Sequence, residues 1–181
     1  MYNLGMRKFI AVCLVPADKD KLILDNIIKS LAEKFDAYPF IPHITIYAGI
    51  FMEENKAKML NDQALKELLL KPFTVNVKKL DHSEIFSKTL YVDFQTNSPM
   101  KKIYHYLRKK FLKYTDFNLH PHLSLIYKNN MPVGEKTKLI NRLNIPNRIL
   151  FDRIDVITSP RDIMKEEDVL SWKIIYSKKF H

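Results

Sequence analysis

Apolar positions along the chain fall into short runs that alternate with amphipathic stretches. The run from Lys8 to Val15 is apolar on both parities and stops at Pro16, which predicts a first strand. Leu22, Ile23, Ile27, Ile28, Leu31 and Phe35 then recur at helical spacing, predicting a helix from a cap at Asp18 or Asp20 to Phe35. Pro39 and Pro42 hold an extended approach to a strand over His43–Ile50. Glu53–Leu70 reads as a second helix, ended by Pro72, and strands follow at Phe73–Leu80 and Thr89–Gln95. Ser98 and Pro99 open a third helix, Met100–Tyr114, with a basic face of Lys101, Lys102, Arg108, Lys109, Lys110 and Lys113. The remaining pattern predicts a strand at His122–Lys128, a helix near Gly134–Leu143, and strands near Ile149–Ile157 and Ser171–Ser177. Alternating strands and helices suit a parallel sheet, whereas the proline-broken strands suit antiparallel pairing. Periodicity leaves both open.

Two of the predicted strands carry the same short pattern. One reads Phe40-Ile-Pro-His-Ile-Thr-Ile-Tyr47, the other Leu119-His-Pro-His-Leu-Ser-Leu-Ile-Tyr127. Residues i and i+2 of a strand share a face, so His43 and Thr45 point one way while Ile44 and Ile46 point the other. His122 and Ser124 are arranged likewise against Leu123 and Leu125. A single such histidine fits a strand start and needs no function. Two copies, each after a proline and each with a hydroxyl two residues on, point to an internal duplication that presents two imidazoles and two hydroxyls to one cleft.

That set suits cleavage of a phosphodiester ring. One imidazole removes a proton from water and the other protonates the departing oxygen, because histidine titrates near neutrality. Hydroxyls supply donors for the non-bridging oxygens. A strained ring lowers the demand on the catalyst, so the scheme needs no metal.

Composition narrows the alternatives. With only three glycines, Gly5, Gly49 and Gly134, a Gly-rich phosphate loop is excluded. The lone Cys13 excludes an internal disulfide and reads as a small buried thiol, compatible with a reducing compartment. No apolar stretch reaches the length of about 18 residues needed to span a membrane, and the first residues lack a signal-peptide pattern, so a cytoplasmic location is expected. The net charge of +10 fits a polyanionic partner such as RNA or a nucleotide, and equally a Lys-rich solvated surface. His120-Pro-His122 has the form of a two-residue metal clamp, with only Asp116 nearby to complete it. Tyr104-His-Tyr106 and Tyr114 read as helix core or base-stacking groups, and Trp172 as core or a ligand platform.

The paired His-x-Thr and His-x-Ser resemble the signature of the two-histidine (2H) phosphoesterase superfamily. Within it the chain is similar to cyclic phosphodiesterases acting on ADP-ribose 1″,2″-cyclic phosphate and nucleoside 2′,3′-cyclic phosphates. The segments Val12–Pro16, Phe40–Ile46, Pro121–Tyr127 and Leu170-Ser-Trp172 fall in the family's order. The resemblance implies a single bilobed α+β domain over residues 1–181, with two antiparallel sheets, outer helices and a central cleft. It implies that His43 and His122 are the acid/base pair, that Thr45 and Ser124 bind phosphate oxygens and that Tyr127 contacts substrate. It implies no metal and no cofactor, a small cyclic nucleotide substrate and a monomer. Cys13 stands where the plant members have an aromatic, and Tyr47, of the same strand parity as Thr45, is a candidate replacement in the cleft. Rival functions are opening of 2′,3′-cyclic RNA ends or 2′-5′ RNA ligation, and, in another class, a non-catalytic RNA-binding module.

Overall fold

A computed structural model describes residues 7–160 and 163–181. Seven strands and five helices run in the order β1 (Arg7–Pro16), α1 (Asp18–Phe35), β2 (Ile44–Glu53), α2 (Glu54–Glu67), β3 (Phe73–His82), β4 (Leu90–Phe94), α3 (Ser98–Phe111), β5 (His122–Ile126), α4 (Val133–Ile140), β6 (Arg148–Ser159), α5 (Glu166–Leu170) and β7 (Lys173–Lys179). A single 3₁₀ turn, Phe86–Lys88, precedes β4. Among the described residues no helix is long and apolar enough to cross a membrane.

Every strand pairing is antiparallel, which settles the choice the periodicity left open. The strands follow the path β2-β1-β6-β3-β4-β5, and β7 joins β6 off that path. β6 is the spine. Its Phe151–Ser159 stretch pairs with β1, while its other edge is shared between β3 at Arg148–Phe151 and β7 at Arg153–Thr158. The two expected sheets are thus two wings of one fork, β2-β1-β6-β7 and β3-β4-β5, joined where β3 meets the start of β6. β2 and β5 end the path at opposite sides, yet they touch. The fork therefore curls until its outermost strands meet, and these are the strands that carry the two motifs.

β1 is apolar on both parities because it is buried on both faces. Ile10, Val12 and Leu14 enter the main core, while Ala11 and Cys13 form a small second cluster with Ile157. α1 buries Leu24, Ile28, Leu31 and Ala32, and α3 buries Met100, Ile103, Leu107 and Phe111. Each is an apolar stripe at helical spacing. The basic face of α3 is solvated, with Arg108 on Asp116 at 2.7 Å and Lys110 on Glu67 at 2.9 Å.

Two local expectations are corrected. Neither Asp18 nor Asp20 caps α1: Ala17 is the N-cap, with no side-chain bond, and both acids lie in the first turn where they complement the helix dipole. Asp20 instead accepts the Leu150 N–H at 2.7 Å, tying the helix start to β6. Tyr47 is not a cleft residue. Val12 faces Tyr47 while Cys13 faces Thr45, so Ile46 is an extra residue in β2. This bulge reverses the strand parity beyond Thr45 and turns Tyr47 into the core, fully buried, with its hydroxyl donating to the Thr115 carbonyl at 2.6 Å.

Candidate active site

The two motif histidines are held in the same way. His43 Nδ1 lies 2.7 Å from the Ile41 carbonyl oxygen, and His122 Nδ1 lies 2.8 Å from that of His120. A carbonyl only accepts, so each Nδ1 carries the proton and each Nε2 keeps its lone pair. In each case the acceptor is the residue two before the histidine, across the intervening proline. The proline has no N–H of its own and holds the chain extended, so the carbonyl stays within reach of the ring.

One cavity of about 260 Å³ is lined by His43, Thr45, His122, Tyr127 and Trp172. A second cavity of about 270 Å³ adjoins it, sharing His43, Ile157 and Trp172, and is otherwise mainly apolar except for Asp155. Gly49 also lines the first cavity. Its φ of +86° and the Thr115 hydroxyl, 2.8 Å from where a Cβ would stand, leave room for no side chain.

The hydroxyls are not equivalent. Thr45 faces the cavity, with Oγ1 3.9 Å from Cys13 Sγ. Ser124 is buried at 5% exposure, and its hydroxyl donates to the Ser87 carbonyl at 2.6 Å. It therefore stands behind the cavity wall rather than on it. Tyr127 lies at the wall within an aromatic cluster, its ring stacked on Phe40 at 4.3 Å and edge-on to Trp172 at 5.9 Å. Burial pushes its hydroxyl pKa upward, against a bond with Ser124. Trp172 stands edge-on to His43 at 5.3 Å, and its buried Nε1 has no hydrogen-bond partner among the described residues.

Electrostatics separate the two imidazoles. Burial lowers the pKa of His43, opposed by the bond to Ile41 and by the negative charge of Asp155. Burial brings His122 down to about 4, opposed by the bond to His120 but reinforced by the positive charges of Lys88, His120 and His43. An acid thus acts on one ring and a base on the other, with opposite effects on their protonation.

The sequence pattern does not single out Asp155 or Lys88. Asp155 is buried on β6 opposite Cys13, accepts from Ser177 Oγ at 2.6 Å and pairs with Arg153 at 3.2 Å. A lone acid inside the apolar run Ile154-Asp-Val-Ile157 is the signal that marks it. Cys13 is buried as expected, its thiol pushed up to about 12 by loss of solvent, so it is no nucleophile at neutral pH. His120 faces Lys88 rather than a ligand set, and no group of three or more potential metal ligands gathers among the described residues.

Paired motif strands meeting at the mouth of a curled antiparallel fork define a family. Residues 21–162 match the model of the 2′-5′ RNA ligase superfamily, the two-histidine phosphoesterases, and the chain belongs to it. A cyclic phosphodiesterase of Arabidopsis thaliana is 22% identical over 117 residues, covering 65% of this chain and 64% of that protein. The chain thus matches a little under two-thirds of the length of this curated relative. In fold it is similar to Escherichia coli LigT in apo form, with a TM-score of 0.64 at 13% identity over 97% of this chain and 99% of that one. LigT complexed with 3′-AMP superposes with a TM-score of 0.62 at 12% identity, over the same shares of the two chains.

Proposed function

We propose that the protein is a metal-independent hydrolase that opens a cyclic phosphodiester to a phosphomonoester. The reading rests above all on one observation: two imidazoles at one cavity, each fixed as the Nδ1–H tautomer by the carbonyl two residues before it. Neutral His122 takes a proton from water through Nε2 as the water oxygen bonds to phosphorus. The ring P–O bond breaks, and protonated His43 delivers its Nε2 proton to the departing oxygen. Proton exchange with solvent resets the pair. Thr45 donates to a non-bridging oxygen. Ser124 holds the wall through Ser87 and reaches the phosphate only by exchanging that bond. Tyr127 and Trp172 supply the flat walls for the nucleoside. The two imidazoles account for both proton transfers, so no step calls on a metal.

ADP-ribose 1″,2″-cyclic phosphate and nucleoside 2′,3′-cyclic phosphates are the proposed substrates, in line with the name of the plant relative and the 3′-AMP seen with LigT. A second reading, processing of 2′,3′-cyclic RNA ends or 2′-5′ ligation, draws support from the family's name and the net charge of +10. A non-catalytic RNA-binding module would keep its RNA affinity in His43→Ala. The enzyme is proposed to act as a monomer, one bilobed domain, in the cytoplasm, where a buried reduced thiol is at home.

The test is turnover of both cyclic phosphates in excess EDTA, followed by phosphorus NMR. Loss of general acid–base catalysis lowers kcat by about 10²–10⁴ in His43→Ala and His122→Ala. Turnover that survives either substitution overturns the mechanism, and turnover confined to RNA ends selects the second reading.

A further inference from the structure

A second group of side chains gathers at the His122 end of the cleft. Lys88 closes the 3₁₀ turn, one residue after Ser87, which lines the cavity. Its Nζ lies 4.4 Å from the centre of the Tyr91 ring and 3.5 Å from His120 Nδ1. Tyr91 in turn stands edge-on to His122 at 5.7 Å, and the rings of His120 and His122 are 5.8 Å apart. An ammonium, two imidazoles and a phenol ring are thus clustered beside one wall of the cleft.

Among the described residues no carboxylate forms an ion pair with Lys88: Asp93 and Asp81 act on it only from further off, while Asp81 holds Lys79 at 2.6 Å and Asp93 holds Lys78 at 3.4 Å. Lys88 is nevertheless half-buried, and loss of solvent pulls its pKa down. The Tyr91 ring steadies the cation without neutralising it. An unpaired, partly desolvated cation beside a site that cleaves phosphates is organised for a further anion.

We propose that Lys88 and His120 form a subsite for a second phosphate of the same substrate molecule, on the His122 side of the scissile ring. The inference rests on the two-histidine reading and narrows it: the preferred substrate carries a phosphodiester or pyrophosphate in addition to its cyclic phosphate. Tyr91 orients Lys88, and His120, accepting from Lys88 at Nδ1, presents Nε2–H to the anion.

Trp172 is the chain's only tryptophan and sits against His43, so its fluorescence reports ligand in the cleft. Three product-like probes are titrated: adenosine 3′-monophosphate, the adenylyl dinucleotide with a 3′-terminal phosphate, and ADP-ribose 1″-phosphate. A charge-assisted contact makes a two-phosphate probe bind about tenfold more tightly than the monophosphate in the natural protein. Lys88→Ala removes most of that advantage, weakening the two-phosphate probe several-fold more than the monophosphate, while Lys88→Arg restores it. Which two-phosphate probe shows the advantage tells a phosphodiester from a pyrophosphate. Equal weakening of all three probes, or of none, overturns the subsite. If Lys88→Ala fails to fold, the exposed His120→Ala is read by the same ratio. Turnover of 2′,3′-cyclic AMP is followed in parallel. A two-phosphate preference without turnover keeps the subsite and removes the hydrolase reading, and turnover without the preference does the reverse.

Discussion

Asp155→Asn isolates the electrostatic difference between the two histidines. Asparagine has nearly the same shape and can still accept from Ser177 Oγ, so what changes is the charge that raises the pKa of His43. Neighbouring opposite charges shift a pKa by about 1–3 units, and the low end applies here because Arg153, at 3.2 Å, already offsets part of the carboxylate charge. One unit corresponds to about 1.4 kcal/mol between the two protonation states. If His43 is the general acid, activity falls as pH rises through its pKa, and kcat/KM reports that pKa in the free enzyme. The variant's alkaline limb therefore moves about one unit lower, giving about a tenfold loss of kcat/KM at pH values above that limb and little loss below it. The acidic limb, set by His122 at about 4, stays in place. The assay is hydrolysis of 2′,3′-cyclic AMP across both limbs, with the His43 ring resonances titrated by NMR. An equal loss at every pH, or a shift of the acidic limb instead, refutes the assignment of acid and base.

His122 also makes stability depend on pH. Its pKa is lowered from 6.5 to about 4 on folding, so the unfolded chain binds the proton more tightly, and stability present above 6.5 is lost as pH falls toward 4. His122→Gln removes this loss, narrowing the gap in unfolding free energy between about pH 7.5 and 4.5 by about 2 kcal/mol after allowance for contact with solvent; parallel urea curves would refute it. Tyr47→Phe breaks the bond to the Thr115 carbonyl and lowers stability by about 1 kcal/mol in chemical denaturation. Because Tyr47 lies in the core, KM stays within about twofold, whereas a raised KM would return it to the cleft.

The features legible in the chain are those written locally. Short apolar runs mark all seven strands to within a few residues, and the prolines before His43 and His122 mark the motifs. α5 spans only five residues, too short to show helical periodicity, and the 3₁₀ turn at Phe86–Lys88 repeats nothing. The position of Tyr47 depends on one bulged residue, and period-two counting fails beyond any bulge. Register across distant strands sets Asp155 opposite Cys13, and the 3₁₀ turn before β4 brings the Lys88 charge to bear on His122; no local pattern encodes either placement. Ser124 fits the motif by type, but its depth depends on the carbonyl of Ser87, which arrives from another segment.

The spine strand has a consequence for how the chain is made. β1 is flanked by β2, which follows soon after it, and by β6, which begins only at Arg148. A growing chain can pair one side of β1 early but must keep the other bare until most of the protein has been synthesised. During that interval the run Phe9–Val15 presents an open apolar edge, the kind of surface that invites aggregation or a chaperone. The same delay holds for the cleft, because β6 joins the wing that carries His43 to the wing that carries His122. Synthesis delivers both histidines well before the strand that brings them together.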